Sequence, residues 1–98
     1  MSIKPTKRPS VHPGEILADY INDHALSQSE VARRLRVPIG NINEICRKKR
    51  GISPEMAFKL ARLFRTTPDL WMNLQSSWEM SQVDIADINY IEPIRRSA

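Results

Sequence analysis

Two short helices meet in the segment "LSQSEVARRLRVPIGNINEICRKKR", Leu26 to Arg50. Ser27 precedes an apolar-periodic run and Glu30 follows it three residues later, the spacing of a capping box. Val31, Ala32 and Leu35 give that helix an inner face, and Pro38 stops it from running on. The next helix starts near Pro38 or Ile39 and extends to about Lys48. At about 100° per residue, Ile42, Ile45 and Cys46 share one arc. Gly40, Glu44 and Arg47 share the opposite arc, flanked by Asn43, with Ile39 at the leading edge. Four consecutive cations, Arg47 to Arg50, close the segment. A helix end needs few cations for solubility or for its dipole, so the run points to an anionic partner.

Charge placement strengthens this reading. The 98-residue chain carries a net charge of +4. Residues 27–51 hold seven cations against two acids, whereas the rest holds eight against nine. The positive charge is local to the helix pair, and concentrated cations attract a polyanion such as nucleic acid.

Outward from this segment the sequence is punctuated as helix. "VHPGEILADYINDHAL" places Pro13 and Glu15 in a first turn, with Ile16, Leu17, Tyr20 and Ile21 on one face. This first helix spans about Pro13 to His24. "SPE" at Ser53 to Glu55 opens a fourth helix with Ala57, Leu60, Ala61 and Phe64 inward. "TPD" at Thr67 to Asp69 opens a fifth, burying Leu70, Trp71 and Leu74, with Trp78 shared between core and subunit contact. The expected fold class is all-α, five helices containing a helix-turn-helix. Residues 12–80 form the domain, residues 1–11 a basic arm, and residues 81–98 an extension rich in isoleucine.

Composition bounds the function. At 41% apolar and 27% charged, a chain of this length suits one domain. No apolar run approaches the roughly 18 residues of a membrane span, and no h-region follows the basic N-terminus. A single cysteine, Cys46, excludes an intrachain disulfide and fits a reducing cytoplasm. Cys46 itself reads as a small buried hydrophobe. His12, Glu15, Asp19 and His24 can be imagined as a metal set, but their spacing reads instead as polar surface plus a cap. The serines lack a Gly-x-Ser-x-Gly context and no phosphate-binding glycine loop exists. Neither a cofactor nor an enzymatic activity is expected.

The outer arc of the third helix suits a DNA groove. Gly40 allows close approach. Asn43 and Asn41 match adenine edges, Arg47 guanine, Glu44 the cytosine amino group and Ile39 a thymine methyl. Lys48, Lys49 and Arg50 reach phosphates, as do Gln28 and Ser29 at the start of the second helix. Helix-turn-helix proteins gain affinity by pairing across half-sites about 34 Å apart. Trp78, Val83, Ile85 and Ile88 are the residues expected to build a two-fold homodimer.

"LSQSEVARRLRVPIGNINEI" with "RGISPEMAFKLARLF" resembles the lambda-repressor-like (Xre-type) helix-turn-helix domain. "HPGEIL" at His12 to Leu17 and "TTPDLWMNLQSSWEM" at Thr66 to Met80 resemble its HigA/VapI antitoxin branch. The resemblance implies a cytoplasmic dimer that binds a palindromic operator in its own promoter and neutralises a HigB-like, mRNA-cleaving toxin. It carries over Gln28, Ile39, Gly40, Asn43, Glu44, Arg47 and Lys48 as DNA-reading residues. Many relatives have glycine where this chain has Arg36, and an Asn-Gly pair where it has Arg47-Lys48. A left-handed Arg36 is strained by about 1 kcal/mol or more. The rival reading is a stand-alone regulator without a toxin.

Overall fold

A computed structural model describes residues 10–95. Five helices follow one another: α1 Pro13–Asp23, α2 Gln28–Leu35, α3 Ile39–Cys46, α4 Pro54–Phe64 and α5 Pro68–Ser81. A single 3-10 turn, Ile85–Ile88, follows. Proline opens α1, α4 and α5 at the position where a missing N–H costs nothing. Ser53 and Thr67 cap α4 and α5 by accepting from Met56 N–H and Leu70 N–H.

α2 and α3 form the helix-turn-helix, α1 packs across α3, and α4 pairs with α5. Leu17, Ile21, Val31, Leu35, Ile42, Ile45, Ile52, Met56, Leu60, Phe64 and Trp71 make one buried core. Gly14 sets how closely α1 and α3 approach. A Cβ there would stand 1.8 Å from the Ile45 carbonyl oxygen, so only glycine fits.

Several expectations need correction. α3 ends at Cys46 rather than Lys48: Arg47 caps it, and Lys48 turns left-handed at φ 64°. Ser27 accepts from Glu30 N–H, but the reciprocal half of that capping box is absent, because the Glu30 carboxylate accepts from Arg33 and Arg34. The full box lies at α1 instead. There His12 Nδ1 accepts from Gly14 N–H at 2.9 Å and the Glu15 carboxylate accepts from His12 N–H at 3.2 Å. His12 is buried, not surface.

In α5, Trp71 is buried with its Nε1–H donating to Thr66 Oγ1 at 2.8 Å. Leu70, Leu74 and Trp78 are only half-buried, and the inward place falls to Gln75. Gln75 Oε1 accepts from the buried Ile52 N–H at 2.7 Å, fixing the loop between α3 and α4.

Arg36 is left-handed, φ 57°, as the missing glycine predicted. Ala25, Lys48 and Arg65 adopt the same conformation just past α1, α3 and α4. Each helix before α5 is thus ended by a non-glycine residue at a cost of about 1 kcal/mol, offset by packing of the elements on either side.

Candidate nucleic-acid interface

α3 is held by Ile42 and Ile45, both without solvent exposure, so its other side faces outward. Ile39 stands at the entrance, 51% exposed. Gly40 is exposed, and a Cβ there would meet nothing nearer than Glu44 Oε1 at 4.0 Å. Asn43 and Glu44 are half-buried and Arg47 is exposed. The outward surface runs from small through polar to cationic, in the order the periodicity predicted.

Asn43 is oriented from α2. Its Nδ2 donates to Gln28 Oε1 at 3.2 Å, which fixes both amides and leaves the Gln28 amide N–H groups as donors for another partner. Ser29 is exposed beside it at the first turn of α2, where unpaired N–H groups favour an anion. Asn41 is not part of this group. It lies on the other flank of α3 and lines a cleft of about 580 Å³ with Val37, Ile52, Pro54 and Met56.

The basic turn is not uniform. Lys48 Nζ lies 3.5 Å from Glu15 of α1, and Arg50 lies 3.5 Å from Glu44. Arg47 and Lys49 have no acidic partner within 4 Å among the described residues. Those two cations are the ones most available to a phosphate or base. On α2, hydrogen bonds from Arg33 and then Arg34 hold the Glu30 carboxyl down to about 2, so both arginines are already engaged.

Both histidines and the one cysteine are accounted for locally. His12 Nδ1 serves the α1 cap and His24 Nδ1 pairs with the Tyr20 carbonyl at 2.8 Å. Cys46 is half-buried, and burial raises its thiol pKa. No helix among the described residues is long and apolar enough to cross a membrane.

The extension presents apolar surface. Val83, Ile85 and Ile88 are 49%, 56% and 46% exposed. Trp78 is partly covered within the chain, its ring meeting His12 edge-on at a centroid distance of 4.6 Å. His12, Glu15 and Gln75 are the contributors that sequence reasoning undervalued. The His-x-x-Glu spacing was a legible cap signal, whereas Gln75 carried none.

Known proteins share this architecture. The helix-turn-helix family profile HTH_3 matches residues 17–71. Virulence-associated protein I of Dichelobacter nodosus is 38% identical over 92% of this chain and 86% of its own length. The antitoxin HigA of Pseudomonas aeruginosa, solved with the higBA promoter, is 38% identical over 89% of this chain and 100% of that one, with a TM-score of 0.82. The antitoxin GraA in complex with its operator superposes with a TM-score of 0.82 at 28% identity, covering 97% of this chain and 100% of that one. The chain belongs to the lambda-repressor-like helix-turn-helix family, and within it to the HigA/VapI type.

Proposed function

We propose that the chain is a DNA-binding antitoxin that represses its own operon as a homodimer and neutralises a HigB-like, mRNA-cleaving toxin. The observation that carries the DNA-binding part is the outward face of α3: exposed Ile39 and Gly40, an Asn43 braced by Gln28, and an exposed Arg47 with no acidic partner among the described residues. In this reading α3 enters a major groove about 12 Å wide. Arg47 addresses guanine, Asn43 adenine, Glu44 a cytosine amino group and Ile39 a thymine methyl. Gln28, Ser29, Lys48, Lys49 and Arg50 hold phosphates and set the register.

Pairing through Trp78, Val83, Ile85 and Ile88 would present two α3 helices to half-sites of a palindromic operator about 34 Å apart. The exposure of the last three residues supports this. The structures solved with promoter or operator DNA support the DNA partner, and the antitoxin neighbours support a toxin partner in the cytoplasm.

A second reading, a regulator without a toxin, is supported by the likeness to the uncharacterized HTH-type transcriptional regulator YbaQ of Escherichia coli, 35% identical over 81% of this chain and 70% of that protein. Gel-shift titration against the chain's own upstream DNA, with and without the adjoining gene product, separates the two. The antitoxin reading expects a retarded duplex and a copurifying small basic protein that alters the shift. Binding of DNA with no copurifying neighbour would leave the regulator, and no binding would remove both.

A further inference from the structure

α1 and α5 meet at His12, which is 2% exposed. Its Nδ1 is committed to Gly14 N–H. Its ring meets Trp78 in the last turns of α5 at 4.6 Å, with an interplanar angle of 76°. Its backbone N–H orients Glu15, whose other carboxylate oxygen reaches Lys48 Nζ at 3.5 Å. The residue between, Gly14, sits against the Ile45 carbonyl, which also accepts from Lys48 N–H at 3.0 Å. The basic turn after α3 is thus braced twice by the His-Pro-Gly-Glu segment.

A serine or aspartate at position 12 would cap α1 as well as histidine does. Neither could also reach an indole on α5. The choice of an imidazole is explained by the second contact rather than by the first. Two residues beyond Trp78 the apolar surface begins, with exposed Met80, Val83, Ile85 and Ile88.

We propose that His12 is a positioning residue for DNA binding: standing between Trp78 and the Glu15–Lys48 pair, it fixes the basic turn after α3 and ties its placement to the last turns of α5. The inference rests on the DNA-binding reading above. Its content is that a change at the end of α5 is felt at Lys48 through a contiguous set of contacts. Whatever covers or displaces Trp78 alters phosphate contact without touching α3.

The test is a titration of the full chain against a labelled duplex of its own upstream DNA, between about 50 and 200 mM salt. His12→Asn keeps a cap acceptor and is expected to melt cooperatively near the wild type. It should bind roughly five- to tenfold more weakly, with a salt slope shallower by about one unit per protomer. Trp78→Ala, which leaves the cap intact, should do the same while sedimenting with the wild-type mass, which separates the effect from lost pairing, and carries the test if His12→Asn does not fold. In a Lys48→Ala background neither substitution should weaken binding further, because the effect runs through that side chain. An unchanged salt slope in both variants, or losses that add to that of Lys48→Ala, would overturn the positioning role while leaving DNA binding intact. A wild-type chain that binds no such duplex would instead remove the reading beneath it.

Discussion

Replacing Gly14 by alanine tests the joint between the first helix and the reading helix. The added Cβ would lie 1.8 Å from the Ile45 carbonyl oxygen, where ordinary contact begins at 3.4 Å, so something must move by about 1.6 Å. The obstacle is backbone, and rotamer changes cannot relieve it. Overpacking of this kind costs about 3 kcal/mol, offset by up to about 1 kcal/mol of helix propensity gained over glycine. The net loss of roughly 2–3 kcal/mol lowers Tm by about 10–20 °C in a domain of this size. Gly40→Ala is the internal control. Nothing stands within 4 Å of its Cβ except Glu44 Oε1 at that distance, so Tm should rise by a few degrees, about 0.5–1 kcal/mol. Its methyl would nevertheless stand on the outward face of α3 and weaken duplex binding. Circular-dichroism melts of both variants, with duplex titrations alongside, measure this. A Gly14→Ala Tm within about 4 °C of wild type would refute the close approach of α1 and α3.

Other variants divide the interface and the core. Arg47→Ala should cost about 1–3 kcal/mol of binding and relax preference at one operator position, whereas Lys49→Ala should weaken all duplexes alike and flatten the salt slope by about one unit; competition titrations with base-substituted duplexes check both. Gln75→Ala strands the buried Ile52 N–H and should lose about 2 kcal/mol in denaturant melts, while the similarly sized Gln75→Met should recover part of the stability but not the hydrogen-exchange protection of the Ile52 amide. Burial, and then the Lys48 charge, hold the His12 imidazole below its ordinary value near 6.5, with Glu15 opposing. The unfolded chain therefore binds the proton that the folded one refuses, so this contribution is complete above about pH 6.5 and is lost as pH falls from there toward the folded-state value. Tm should decline between pH 7 and pH 5 in the wild type, and His12→Asn should flatten that decline.

The helix starts were legible because their signals are local: Ser53-Pro54, Thr67-Pro68 and Pro13 each satisfy or remove an orphan N–H within one turn. The helix ends were harder to read. Lys48 and Arg65 turn left-handed without glycine, a choice made by packing and not by propensity. Glu30 carried a capping-box spacing but found stronger partners in Arg33 and Arg34. On α3 the 100° rule separated the buried isoleucines from the outward residues. It could not show that Asn43 is braced by Gln28 while Asn41 lines a different cleft. The partners that hold Gln75 and His12 from afar, Ile52 and Trp78, were beyond local reading, since they are distant in the chain.

Amide chemical shifts of the labelled chain, followed as a duplex of its own upstream DNA is added, address the central assignment most directly. The largest changes should gather at Gln28 and Ser29 and from Ile39 to Arg50, with the exposed side of α4 quiet. Changes concentrated on α4 or α5, with the α3 resonances still, would contradict it.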